Sequence, residues 1–446
     1  MHLSRSLLAG VREVPRRARV LAVFIPAVVL GLSQAPVSAA EVLSLKAAIA
    51  RGLDANPGLA GVKAGAEAAA QVPSQVGTLP DPALSLKALN LPTNSFDLQQ
   101  EAMTQLQVGL SQKLPFPGKL GLRRKAATFV ARAARAEVDE SRLRLIRDIR
   151  RTWWRLYYLD RAIESSEHNE SLLRDLIEIA RTKYQVGKGL QQDVLLASLE
   201  LSKLFDLDIA LKSQRRDTEA NLNALLNRPV TEPVVLPDKV DRRLPKPAAE
   251  PDLLELAGGQ RPLLVAARRR VDAARARRDL ARKDFYPDFS LNAVYGVRSG
   301  RDPFRNRDRA DFLTLGVSVS LPIYTGRKQA RAVDQRDAEL RRASLILQDA
   351  LTGVQSEISG ALARLRQARD QVLLLKDGIV PQARQTVDAM RAAYVVGKVD
   401  FLNLVTAQVT LNNYETRYWK VLSQAKQAEA ALDAAVGRDT GPGEKK

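Results

Sequence analysis

The sequence predicts a mostly α-helical protein with a small β part, built as two copies of one unit. The first observation is a repeat: Tyr184-Gln-Val-Gly-Lys188 recurs as Tyr394-Val-Val-Gly-Lys398, and the offset of 210 residues still holds at Arg228 and Arg438. The second is a pair of long segments with apolar residues at three- and four-residue spacing, which is typical of helices. The third is short alternating segments bounded by prolines, which indicate strands.

A second repeated stretch places strands before each long helix. Gln105–Pro115 matches Phe312–Pro322 at an offset of 207 residues. Because a fixed internal period indicates a repeated structural unit, we predict the following division of the chain: a signal peptide over 1–40, a first repeat over 41–228, a proline-rich linker across the outside over 229–250, a second repeat over 251–438 and a disordered tail over 439–446.

The first 40 residues have the pattern of a secretory signal peptide. Five arginines precede the apolar run Val20–Leu32, and small residues offer cleavage after Ala39 or Ala40. The run is too short to span a bilayer. We therefore expect an exported protein without a transmembrane helix. The chain has no cysteine, so we also expect no disulfide framework and no N-terminal lipid anchor.

The first repeat opens with two helices, the first capped by Ser44 and the second running from Pro57 to Pro73. Strands are predicted within about 83–114, at Ala83–Leu89 and Leu98–Leu114. A long helical hairpin follows over about 118–228. Its first helix has no proline between Gly118 and Gln185 and would be on the order of 100 Å long. Such a length suits a coiled coil or the wall of a helical barrel.

The second repeat follows the same order. We predict a helix over 262–283, strands within about 288–321 and a helical hairpin over about 326–436, in which Pro381 kinks the first helix. Tight turns at Gly187 and Gly397 join the two helices of each hairpin.

Neither strand pair is large enough to form a stable open sheet alone. Three chains would supply twelve strands, enough for a closed barrel without edges. An exported protein can place such a barrel in a bacterial outer membrane, with the long helices forming a hollow cylinder beneath it.

The order and duplicated spacing of several short motifs resemble the TolC-like outer membrane efflux family over nearly the whole mature chain. The motifs are Leu43-Ser-Leu with Asn56-Pro57, Leu114-Pro-Phe-Pro-Gly-Lys119, Tyr286-Pro-Asp288, Leu321-Pro-Ile with Gly326-Arg327, and both Tyr-x-x-Gly turns. The Leu-Pro-Phe-Pro-Gly-Lys form is similar to the branch that serves heavy-metal exporters of the resistance-nodulation-division (RND) type.

This resemblance implies a homotrimeric channel in the outer membrane of a Gram-negative bacterium. It implies a passive conduit, with energy supplied by an inner-membrane RND pump and a periplasmic adaptor joining pump and channel. We expect the adaptor to dock at the helical turns, whose residues are Tyr184, Gly187, Lys188, Tyr394, Gly397 and Lys398. A plain helix-hairpin cap is the alternative interpretation of these glycines.

Family members carry an acidic constriction on the helix after the second turn. At the positions that align with it, this sequence has Asn403 and Thr406. The nearby acids are Asp193 and Asp400. We expect these four residues either to ring the pore or, for the two aspartates, to be solvated carboxylates at helix starts.

Other functions lack the residues they need. The only histidine after the signal peptide is His168, and no residues stand at metal-ligand spacing, so we expect no metal site and no cofactor. There is no catalytic motif, so we expect no enzyme. Lys and Arg are scattered over all the helices, which favours solvated faces over nucleic-acid binding for a net charge of +19. The open alternatives are multidrug rather than metal efflux, a type I protein secretion duct, and a structural coiled-coil envelope protein.

Overall fold

A single helix of 67 residues, Lys119–Gln185, forms the axis of the chain in the computed structural model. The structure describes residues 42–302 and 304–439, so the predicted signal peptide lies outside the described residues, as do 440–446 of the predicted tail. The elements of the first half are α1 (Leu45–Ala55), α2 (Pro57–Gly77), β1 (Ala83–Leu89), β2 (Gln105–Leu114), α3 (Lys119–Gln185) and α4 (Gln191–Leu225). Those of the second half are α5 (Glu250–Gln260), α6 (Pro262–Lys283), β3 (Asp288–Val297), β4 (Phe312–Ser320), α7 (Gln329–Leu374), a π-helical segment (Leu375–Ile379), α8 (Val380–Val395) and α9 (Phe401–Val436).

The mostly helical composition with a small sheet is confirmed. Side chains fix the first helix starts: Ser44 Oγ accepts a hydrogen bond from the Ala47 N–H at 3.1 Å, and Asn56 Oδ1 accepts one from the Leu59 N–H at 3.0 Å. None of the helices in the described part of the chain combines the length and apolarity that a membrane span requires.

Three local predictions are wrong. Helix α2 does not end at Pro73 but continues to Gly77. Because Pro73 has no N–H, only one carbonyl of α2 loses its hydrogen-bond donor. The helix is largely exposed there, so water can hydrogen-bond to this carbonyl. Strand β2 begins at Gln105 rather than Leu98, because Asp97 and Thr104 bind loop backbone groups instead. Asp439, assigned to the tail, pairs with Arg142 at 2.7 Å.

Where a kink is predicted at Pro381, the structure has a π-helical segment, Leu375–Ile379, that ends two residues before this proline. Four buried residues of α7 stand 209 positions after four buried residues of α3, whereas the two turns are 210 positions apart. A π turn encloses one residue more than an α turn. The π-helical segment therefore accommodates the one residue by which the two offsets differ. The buried positions before it and the turn after it thus both match those of α3. The four pairs are Leu145 and Val354, Ile149 and Ile358, Trp153 and Leu362, and Leu156 and Leu365.

All four strands form one antiparallel sheet in the order β1-β2-β3-β4. Paired residues share a face, and one face carries apolar rows across the sheet. The rows are Leu84, Leu110, Ala293 and Leu315, followed by Leu86, Val108, Tyr295 and Leu313. Most of these side chains are exposed: Leu86 is 74% exposed and Leu315 73%. Ser, Gln, Thr, Asn and Gly dominate the other face.

The linker 229–250 is not a loose outer connection. Val234 and Leu236 are buried in the core formed by α1, α2, α3 and α4, and the Leu43 N–H donates to the Val235 carbonyl at 2.8 Å. Glu219 accepts from the Val234 N–H at 2.7 Å. Burial opposes ionisation of Glu219, but this N–H and the Arg216 and Arg215 guanidinium groups outweigh it, so the pKa of Glu219 lies below its ordinary value.

A buried ion pair joins Arg261, the residue between α5 and α6, to Glu140 of α3. The Arg261 guanidinium donates from Nε and Nη2 to the two Glu140 carboxylate oxygens, each at 2.9 Å. Arg261 also donates to the Ala434 carbonyl at the end of α9. Only 3% of Arg261 and 5% of Glu140 are exposed. One side chain thereby ties three helices together.

We predict that Glu140→Ala lowers the apparent melting temperature, because it removes the bidentate partner of the buried Arg261. Breaking such a pair costs about 3–5 kcal/mol. The matched control is Arg144→Ala, which removes a half-exposed partner of the same carboxylate and should cost at most about 1 kcal/mol. The measurement is thermal unfolding followed by helical circular dichroism.

Replacing both partners, Glu140→Leu with Arg261→Leu, should recover part of the lost stability, since no charge is then buried alone. Equal melting temperatures for Glu140→Ala and Arg144→Ala would show that the pair does not stabilise the junction.

Candidate functional site

The two glycine turns lie side by side at one end of the helices. Gly187 and Gly397 both adopt left-handed backbone angles, with φ of 72° and 74°, which a side chain would disfavour. The following N–H groups close both turns: Lys188 N donates to the Lys183 carbonyl at 2.8 Å and Lys398 N to the Ala393 carbonyl at 3.0 Å. Both glycines, Lys188 and Lys398 are exposed.

Lys183 connects the two turns. Its Nζ donates to the Tyr394 carbonyl at 2.7 Å and lies 3.8 Å from the centre of the Tyr394 ring, within the range of a cation–π interaction. Sequence reasoning did not find Lys183. Its counterpart 210 positions later is Ala393, so a comparison of the two repeats does not single out this lysine.

The two turn tyrosines differ, although the repeat suggested equivalent roles. Tyr184 is 47% exposed, whereas Tyr394 is 6% exposed. Tyr394 packs on the Phe401 ring at a centroid distance of 5.3 Å, inside a cluster with apolar residues of α3 and α9. Position 191, the counterpart of Phe401, is a glutamine that offers Tyr184 no such ring. Burial raises the pKa of the Tyr394 phenol, and the nearby Asp193 carboxylate adds to this.

The four residues considered for a constriction lie just beyond the turns. Asp193 is half-buried in the first turn of α4, and Asp400 is exposed at the start of α9. The Asp400 carboxylate accepts no hydrogen bond from the first N–H groups of α9. Asn403 and Thr406 are exposed on α9, and Thr406 Oγ1 donates to the Leu402 carbonyl at 2.7 Å. Apart from Asp193, none of these side chains is held in a packed site.

A charged groove of about 970 Å³ runs between α3, α8 and α9 above the turns. Its lining carries both signs of charge, including Arg161, Arg384, Arg391, Glu164, Asp388 and Glu415. His168 is exposed at this groove. Among the residues that the structure describes, no cluster of three or more His, Cys, Asp or Glu side chains is placed to hold a metal ion.

At the other end of the helices, two sequence motifs meet where the sheet joins α3. Phe116 stacks on Tyr286 with ring centres 4.5 Å apart. Lys119 Nζ lies 2.9 Å from Asp288 and 3.3 Å from Asp284, and its side chain is 4% exposed. The Phe116 N–H donates to the same Asp288 carboxylate at 2.7 Å. This junction fixes the direction of the sheet relative to the long helix.

Comparison with known proteins gives the family to which the chain is related. A family model described as outer membrane efflux protein matches residues 48–228 and 253–438. The cobalt-zinc-cadmium resistance protein CzcC of Cupriavidus metallidurans is 28% identical over 234 residues, covering 50% of this chain and 47% of CzcC. The alkaline protease secretion protein AprF of Pseudomonas aeruginosa is 24% identical over 251 residues, covering 52% of this chain and 51% of AprF. The chain thus spans about half the length of these curated relatives.

A solved structure has the same fold. The open-state MtrE outer membrane channel of Neisseria gonorrhoeae superimposes with a TM-score of 0.75 at 18% identity, covering 89% of this chain and 90% of MtrE. The sheet, the long helices and the paired turns are therefore parts of a known architecture.

Proposed function

The chain belongs to the outer membrane efflux protein family, and on this premise we propose that it is the outer membrane channel of a tripartite efflux system. Three copies form a passive conduit that carries heavy-metal cations from the periplasm to the outside. The exported protein loses its signal peptide near Ala39 or Ala40.

The exposed apolar face of the sheet is the observation that carries the proposal. In water, an apolar face with Leu84, Leu86 and Leu315 at 69–74% exposure would be a liability. In a barrel wall the same residues face lipid, and the polar face lines the lumen. Strands β1 and β4 have one paired neighbour each among the described residues. Joining β4 of one copy to β1 of the next closes twelve strands and removes every edge.

The turns support docking of a periplasmic adaptor, to which the RND pump is coupled. Both present a cation beside exposed apolar side chains: Val186 and Leu190 flank Lys188, and Val396 precedes Gly397 and Lys398. Such a mixed surface suits a protein partner better than plain solvation. The Lys183–Tyr394 tie holds the two turns of each copy together at the narrow end of the conduit. We further propose that Asp193, Asp400, Asn403 and Thr406 face the pore there.

Metal cations are favoured as substrate by the Leu114-Pro-Phe-Pro-Gly-Lys119 motif and by the similarity to CzcC. We propose that the ions pass without being chelated, because His168 is the only histidine after the predicted signal peptide and the chain has no cysteine to pair with it. The similarity to AprF keeps protein secretion as the second candidate function.

We predict that deletion of the protein sensitises the host to cobalt, zinc, cadmium or copper salts and leaves its resistance to dyes and antibiotics unchanged. The measurement is a susceptibility panel on the deletion strain and on the strain restored with the intact protein. Sensitivity to drugs alone would contradict metal export and indicate a multidrug channel. No change on either set would favour the secretion duct or a structural envelope protein.

We predict that Lys188→Glu combined with Lys398→Glu reduces resistance to the level of the deletion strain, because reversed charges at the tips repel the adaptor surface that fits them. The amount of protein in the outer membrane should not change. The matched control is Lys46→Glu, an exposed lysine on α1. If the tip variant retains full resistance, the turns are plain hairpin caps.

A further inference from the structure

The two faces of the four-stranded sheet differ in crowding as well as in polarity. On the apolar face, Leu86 is 74% exposed. On the polar face, Gly109 and Gly296 are buried. A methyl group added to Gly109 would lie 2.8 Å from Ser85 Oγ, and one added to Gly296 would meet the Gln105 side chain. The side chains of the polar face therefore converge, as they do on the inner side of a sheet that curves toward barrel closure.

Few residues of this polar face carry charge. The register of the strands places three charged residues on it, which are Lys87, Lys113 and Asp288. Lys87 is paired across the strands with Gln107, and Lys113 with Ser290. The other polar residues of this face in the four strands are Ser, Thr, Asn and Gln. The charge of the face is thus set by two lysines and one aspartate.

The aspartate is neutralised within the chain, whereas the two lysines are not. Asp288 accepts a hydrogen bond from Lys119 Nζ at 2.9 Å, and the Lys119 side chain is only 4% exposed. Lys87 and Lys113 are exposed, and neither forms an ion pair with any residue that the structure describes. The unpaired charge on the polar face of the strands is therefore positive.

The two lysines stand at opposite ends of the sheet, in different surroundings. If the register of β1 and β2 is continued by two residues, Asp81 stands level with Lys113 at the end near α3. The row of Lys87, near the other end, holds Gln107, Gly296 and Phe312 and no carboxylate. The loops at that end, 90–104 and 298–311, contain five arginines and five acidic residues. They balance each other and leave the charge of Lys87 uncompensated.

We propose that Lys87, with a smaller share from Lys113, makes the barrel section of the conduit favour anions over cations. Three copies place three Lys87 ammonium groups around one level of the lumen, and rings of lysine are a device of anion-selective pores. The inference rests on the proposed function, because only a closed barrel turns the polar face into a lumen. In a metal exporter, anions in this section accompany the exported cations, and the same ring holds back cations of the medium.

The dimensions of the barrel allow one ring to control the whole cross-section. Twelve strands spaced about 4.8 Å apart and tilted by about 40° close at a radius on the order of 12 Å, from which the inward side chains subtract. The Debye length is about 10 Å at 0.1 M salt and about 30 Å at 0.01 M. The field of the ring therefore spans the lumen at both salt concentrations and is screened less at the lower one.

The first test is the reversal potential of the purified protein in a planar lipid bilayer under a potassium chloride gradient. The unaltered protein should pass chloride in preference to potassium, and the preference should grow as salt falls from about 0.1 M to about 0.01 M. Lys87→Glu should lower the chloride-to-potassium permeability ratio at least about threefold, within the potentials of several kT that charged clefts produce. Lys113→Glu should lower it less, because Asp81 stands level with Lys113.

Two controls separate the ring from other effects of substitution. Lys87→Arg keeps the charge at the same place and should keep the permeability ratio. Lys46→Glu makes the same change in net charge at an exposed residue of α1, outside the sheet, and should also keep the ratio.

The second test uses the absence of native cysteine. Lys87→Cys should lose the preference for chloride, and a water-soluble cationic thiosulfonate reagent that modifies the cysteine should restore it. The matched control is Leu86→Cys on the opposite face of the same strand, where lipid should shield the thiol and the reagent should change nothing.

The outcomes separate this inference from the proposed function. If the unaltered protein conducts but Lys87→Glu and Lys87→Cys keep its permeability ratio, the inference is overturned and the conduit stands. If Lys87→Glu does not insert in the bilayer, the reagent test on Lys87→Cys decides alone. If the unaltered protein inserts its sheet and does not conduct, the proposed function is overturned as well.

Discussion

The packing demand of α3 is the constraint on which the rest of the structure depends. A helix of 67 residues extends on the order of 100 Å and cannot be buried by one globular core. It is covered in sections instead, by α1, α2, α4, α6 and α9 in turn. One apolar cluster joins α3 to α1, α2 and α4, a second joins α3 to α4, α8 and α9 near the turns, and a third joins α3 to α6. Arg261 pairs with Glu140 of α3 and also donates to the Ala434 carbonyl of α9. The elongated form follows from this division, and so does the separation of two unlike ends.

The two ends of the helices carry the features on which the proposed function rests, because the described part of the chain leaves exposed apolar side chains at both ends. At one end the sheet exposes apolar rows, and β1 and β4 each have one paired neighbour among the described residues. At the other end the glycine turns expose lysine beside valine, braced by Lys183 and Tyr394. Under the proposed function, a lipid phase with further copies of the chain would cover the first end, and a protein partner would cover the second. The groove between α3, α8 and α9 connects the turns with the middle of the helices.

Much of this architecture could be predicted from the sequence because its period is visible. The 210-residue repeat, the absence of proline from 118–185 and the alternation at 105–114 indicate the helices and strands without tertiary information. The features that the sequence did not predict depend on tertiary structure. Tyr394 is buried because Phe401 faces it, and the linker is held because Glu219 reaches Val234. Helix α2 passes Pro73 because the helix is largely exposed there, so the carbonyl that loses its hydrogen bond is open to solvent. The π-helical segment becomes evident only when the buried cores are compared at 209 residues and the turns at 210.

The most direct test of the account is the ion conductance of the purified protein in a planar lipid bilayer, compared with that of Lys183→Met. A closed barrel should give stepwise conductance. If the turns form the narrow end of the conduit, Lys183→Met should give a larger step, since that variant loses the hydrogen bond from Lys183 Nζ to the Tyr394 carbonyl. Absence of conductance in both proteins, when protease protection shows that the sheet is inserted in the bilayer, would contradict a conduit.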